Sequence, residues 1–116
     1  MEFAVSRDGR VLVTLHEGSD TTARDEARAT FVDALEALEA DGPIVEWEIT
    51  HVEIHELPTA PFEPYTVELA FVATVVVEAD SADRAANVGA TTIDEALAAV
   101  AVGTISYTSA PTASAG

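Results

Sequence analysis

Thr66 to Ala79 constrains the fold more than any other stretch of the chain. Val67, Leu69, Phe71, Ala73, Val75 and Val77 alternate without a break, so a strand through them has one wholly apolar face. Such a face has to be covered by another layer before the chain is stable. The opposite face carries Glu68, Ala70, Val72, Thr74 and Val76 and is only half polar. A fully solvated sheet face does not look like that, so Ala70, Val72 and Val76 are candidates for contact with another chain.

Two helices are available as the covering layer. Gly18-Ser19-Asp20-Thr21-Thr22 is a helix-entry cluster, with Asp25 and Glu26 in the first turn where the helix dipole favours acids. Ala27, Phe31, Ala34, Leu35 and Leu38 follow at helical spacing, and Asp41-Gly42-Pro43 is a stop. The outer face of this helix holds Asp25, Asp33, Glu36 and Glu39. Asp80-Ser81 caps a second helix running to about Val100, with Ala85, Ala86, Gly89, Ile93, Ala96, Leu97 and Val100 on its inner face. Small residues there permit a close approach to the sheet.

The remaining segments read as strands. Phe3 to His16 suggests a hairpin around Ser6-Arg7-Asp8-Gly9-Arg10. A two-residue Asp-Gly loop would split the apolar residues between faces. A three-residue loop with Gly9 as a bulge puts Phe3, Val5, Val11, Val13 and Leu15 on one face, and it is the arrangement expected. Ile44 to Leu57 is rich in β-branched residues, but its alternation changes phase midway: Val45, Trp47 and Ile49, then Val52 and Ile54. One extra residue near Thr50 or His51 restores a single apolar face, which predicts a β-bulge. Pro58, Pro61 and Pro64 recur at the polyproline II period, predicting a stiff arm that presents Phe62 and Tyr65 as further contact candidates. Val102 to Thr108 is a last short strand.

The order is hairpin, helix, strand, strand, helix, strand, and no motif repeats within it. Without the first hairpin arm this is β-α-β-β-α-β. The expected fold is therefore α+β: a ferredoxin-like split βαβ sandwich, two helices on one face of an antiparallel sheet, with an added N-terminal strand forming a hairpin. Residues 1–108 make one domain and 109–116 a flexible C-terminal tail.

Charge says where such a chain works. Five Arg and no Lys stand against 21 Asp and Glu, a formal net charge of −16 on 116 residues. Self-repulsion of that size destabilises a compact state, and molar salt, with a Debye length of about 3 Å, screens it. The composition resembles that of proteins from salt-in haloarchaea or their viruses, in high K+ or Na+. It disfavours direct nucleic-acid binding, which draws on Lys and Arg, and docking on anionic membranes. Absence of Cys excludes disulfides and thiolate chemistry. No apolar run has the length of a membrane span, and Met1-Glu2-Phe3 does not open a secretory signal peptide.

Catalytic signals are sparse. His51, Glu53 and His55 alternate to one strand face and offer two imidazoles and a carboxylate, the ligand types of zinc and iron sites. Three ligands along one straight strand converge poorly on one ion, so the expectation is a polar face without metal or other cofactor. No Gly-x-Ser-x-Gly elbow and no Lys-bearing phosphate loop is present. The expected function is that of a non-enzymatic structural subunit, a virion component or a cytoplasmic protein of a halophilic archaeon, whose partners are other protein chains. A small cytoplasmic oligomerising regulatory module is the alternative, and a metal-dependent enzyme using His51, Glu53 and His55 a third.

Overall fold

The computed structural model describes residues 1–16, 18–56, 63–100 and 103–115. Strand β1 spans Glu2–Leu15, helix α1 Asp20–Asp41, β2 Ile44–Glu56, β3 Tyr65–Glu78, helix α2 Ala82–Val100, β4 Thr104–Tyr107 and β5 Thr112–Ala115. The architecture is α+β, two helices with a five-stranded antiparallel sheet. The strand order is β2-β3-β1-β4, and β5 also pairs with β1.

The expected N-terminal hairpin does not form. β1 runs straight through Arg7-Asp8-Gly9 and pairs with β3 in unbroken register from Glu2↔Glu78 to Leu15↔Tyr65. No turn is needed to align its apolar residues, because Phe3, Val5, Val11 and Val13 are all odd-numbered and a straight strand already puts them on one side. Gly9 serves space rather than a turn: a Cβ there would lie 2.7 Å from Cζ of Phe71, its cross-strand partner. The Phe71 ring fills what would otherwise be a gap in the strand.

That odd-numbered side is the core. Val5, Val11, Val67, Leu69, Ala73 and Val75 are fully buried beneath Ala23, Ala27, Phe31 and Leu35 of α1 and Ala85, Ile93 and Leu97 of α2. Phe31 meets Phe71 edge to face, with centroids 5.2 Å apart. Gly89 brings α2 so close to β1 that a Cβ would lie 2.5 Å from Val5. Ser19 and Ser81 cap the two helices, accepting from the backbone N–H of Thr22 and Arg84 at 3.2 and 3.3 Å.

These caps expose a regularity with no counterpart in sequence motifs. Ser19, Ala23, Ala27, Phe31 and Leu35 recur as Ser81, Ala85, Gly89, Ile93 and Leu97, each 62 residues later. The same offset carries Gly9 onto Phe71, which are already partners in the β1–β3 ladder. An approximate twofold, perpendicular to the sheet, therefore passes between those two residues.

Both sheet edges are irregular. Along the β2–β3 ladder the register shifts between Ile44 and Glu46, Ile49 and His51, and Ile54 and Glu56, leaving out Val45, Thr50 and His55. The middle shift is the bulge expected near Thr50. It keeps Trp47, Ile49, Val52 and Ile54 toward the core while Glu46, Glu48, His51 and Glu53 share the other face. At the opposite edge β4 pairs with Gly9–Leu12 and β5 with Phe3–Ser6, the register differing by two residues between them. The expected flexible tail thus carries an edge strand. Thr112–Ala115 are small and β-compatible, and they meet the free backbone groups of β1 that β4 leaves unpaired. The additional strand lies at the C-terminal end, not the N-terminal one.

Candidate functional site

Among the described residues no helix covers the even-numbered side of the sheet. β1 contributes Ala4, Ser6, Asp8, Arg10 and Leu12, and β3 contributes Glu68, Ala70, Val72, Thr74 and Val76. Val76 is 44% exposed, while Ala4, Leu12, Ala70 and Val72 are half-buried among their neighbours. Ser6 and Thr74 hydroxyls, from directly paired residues, hydrogen-bond at 2.7 Å and so satisfy each other in the middle of this face. Beside them a shallow depression of about 490 Å³ is lined by Ser6, Thr74, Val72, Glu46, Trp47 and Glu48.

A charged network crosses three strands at the other end. The Arg10 guanidinium donates to Glu68 at 3.1 Å, and Glu68 is the one buried charged side chain among the described residues. Glu53 lies opposite Glu68 in the ladder, and its carboxylate meets Nε2 of His51 at 3.0 Å. The hydrogen bond to His51 holds Glu53 below the usual carboxylate range, and hydrogen bonding with Glu68 lowers it further. Asp8, exposed on the same face, has no ion-pair partner among the described residues.

The trio His51, Glu53 and His55, expected to form a polar face without metal, is only partly assembled. His51 and Glu53 are brought together, but His55 falls at the third register shift, outside the ladder. Among the described residues no group of three His, Asp or Glu is arranged to hold a metal ion. Of the contact candidates, Ala70, Val72 and Val76 lie on the open face as alternation requires. Tyr65 is not on an extended arm: it begins β3 and packs against the core. Phe62, with Pro58 and Pro61, lies outside the described residues.

A second cluster sits on the helix side, and sequence reasoning missed it. Arg7 occupies an odd position of β1, so its side chain runs beneath α2, and its guanidinium lies 3.8 Å from the centre of the Tyr107 ring. The Nε of Arg7 is buried without a hydrogen-bond partner among the described residues. The Tyr107 hydroxyl donates to Asp94 at 3.0 Å. Burial pushes the Tyr107 phenol well above its ordinary range, Asp94 adds to the shift, and Arg7 opposes it. An open groove of about 390 Å³ between α2 and β4 is lined by Arg7, Tyr107, Asp94, Glu95, Thr91 and Ala90. The signal is an Arg at an odd position of an otherwise apolar register, disguised by the turn chemistry of Asp8-Gly9.

Comparison of the chain with protein-family models, with curated proteins and with solved structures finds no match. No helix among the described residues is long and apolar enough to cross a membrane.

Proposed function

We propose that this chain is a non-enzymatic assembly subunit of a halophile, a virion component of a virus infecting haloarchaea, and that it joins other protein chains through the open face of its sheet. The observation that carries this reading is the uncovered, half-apolar strip of Ala4, Leu12, Ala70, Val72 and Val76. An antiparallel sheet tolerates one solvated face when that face is polar, and this one interrupts its polar residues with valine, leucine and alanine. The net charge of −16 without Lys supports a molar-salt setting. The element order β-α-β-β-α-β, with β1 between β3 and β4, supports a ferredoxin-like split βαβ arrangement, a fold compatible with many roles.

Replacing Val72 and Val76 together by Glu tests the reading. Two buried Val side chains contribute roughly 3–6 kcal/mol to an interface before the entropy of association is subtracted. The double variant should remain folded, because neither residue belongs to the helix-covered core, yet lose its assembly state in molar KCl. Unchanged mass by light scattering would refute the assignment of this face.

A further inference from the structure

We infer that the open face takes a second copy of this chain, packed face to face and antiparallel about a twofold axis that lies in the interface and crosses β1 at Gly9. This rests on reading the open face as an assembly surface, and it adds the occupant and its orientation.

Size permits a stable pair. Fourteen residues of β1 extend about 46 Å and four strands abreast about 19 Å, so the face offers on the order of 900 Å². A standard interface needs about 800 Å² from each partner. Association through the sheet edges is the less suitable route. One edge is broken by the three register shifts of β2, and the other by the two-residue offset between β4 and β5, with Pro111 between them.

The charges choose the axis. An isologous contact sets each residue against one lying the same distance beyond the axis on the other copy. Asp8 and Arg10 stand one residue either side of Gly9, on the same face and with opposite charge. An axis at Gly9 therefore lays Asp8 of each copy over Arg10 of the other, so that each Asp8 carboxylate, without an ion pair among the described residues, meets one guanidinium. Gly9 pairs with Phe71, so the same axis sets Val72 against Ala70 across the interface. On β2, Glu48 lies opposite Val72 and His51 opposite Ala70, so these two also meet reciprocally. Glu46 meets Glu53, an acidic juxtaposition at the edge that molar salt screens. Gly9 is also near the midpoint of the β1–β3 ladder, so this axis gives nearly the largest overlap of the two faces. Facing sheets incline by about 30°, which preserves these pairings best close to the axis.

Charge exchange tests the arrangement, with mass read by sedimentation equilibrium in molar KCl and folding by circular dichroism. Asp8→Arg and Arg10→Asp should each weaken self-association roughly tenfold or more by placing like charges across the axis. Mixing the two variants should restore pairing as a heterodimer, because both contacts between positions 8 and 10 are then opposite in sign. The double variant Asp8→Arg/Arg10→Asp should again pair with itself. If Arg10→Asp unfolds by leaving Glu68 beside a new carboxylate, Arg10→Gln takes its place, and one of the two ion pairs returns on mixing. A dimer sensitive to Val72→Glu/Val76→Glu but indifferent to charge exchange, or not restored by mixing, would overturn this orientation while leaving the assembly face intact. A wild-type chain that is monomeric in molar KCl at every concentration would overturn both.

Discussion

Gly9→Ala separates a steric role for this glycine from a turn role. The added methyl would stand 2.7 Å from Cζ and 3.1 Å from Cε1 of Phe71, and 3.1 Å from the Ser106 carbonyl oxygen. Phe71 is 1% exposed and held against Phe31, so its ring has little room to withdraw. Overpacking of this kind costs about 1–3 kcal/mol. Replacing glycine in a strand returns about 0.5–1 kcal/mol through lost unfolded-state entropy. The net expectation is a loss of about 1–2 kcal/mol in urea unfolding at molar KCl, on a domain whose total stability is of order 5–15 kcal/mol. The same substitution made in a Phe71→Leu background, where the aromatic rim is gone, should cost markedly less. A coupling of about 1 kcal/mol between the two sites is therefore expected in the double-mutant cycle. If Gly9→Ala costs the same in both backgrounds, the ring does not occupy the glycine's place and the reasoning fails.

Salt dependence is the broadest expectation: lowering KCl from molar to about 0.1 M lengthens the screening distance from about 3 to about 10 Å, and the unfolding midpoint should fall. A midpoint unchanged or raised in dilute buffer would contradict the halophile reading. Glu53 should titrate below the unfolded value of about 4.3, so the stability tied to it is present above that value and lost as pH falls through the folded pKa. Carbon NMR should show its carboxyl moving back toward the ordinary range in His51→Ala. Tyr107 should stay protonated where a free phenol, of pKa about 10, ionises. The stability linked to it is full below that value and declines as pH rises through the folded pKa, and ultraviolet titration should lose its late component in Tyr107→Phe.

The elements that could be read from sequence are those whose information is local. Ser19 and Ser81 announce their helices, Phe31 and Ile93 sit at the expected helical spacing, and the phase change at Thr50 signals its bulge without any partner strand in view. β1 is not legible in the sequence because Asp8-Gly9 has strong turn chemistry, and what overrides it, the Phe71 ring, lies 62 residues away. A turn at Arg7-Asp8-Gly9 takes Arg7 and Asp8 out of the strand and sets Arg10 opposite Ser6, so neither the Glu68 network nor the Tyr107 stack follows from it. β5 was invisible for a related reason. Thr112–Ala115 have no pattern of their own and become a strand only because β1 is long enough to offer them an unpaired edge. Ala70, Val72 and Val76 were legible as contact candidates because strand alternation needs no tertiary knowledge.

The approximate twofold through Gly9 and Phe71 has a consequence for how the two halves can be related. Were the halves identical chains, a residue beside that axis would face its own copy, and no single side chain suits the spot. Two phenylalanines would overfill the layer under α1 and α2, whereas two glycines would leave a void through the middle of the sheet. Carrying both halves on one chain frees the paired positions to differ, so one supplies a ring and the other only backbone. The Gly9–Phe71 pair is thus asymmetric where symmetry is hard to satisfy, and a half-length fragment, obliged to pair with itself, would meet that conflict at its centre.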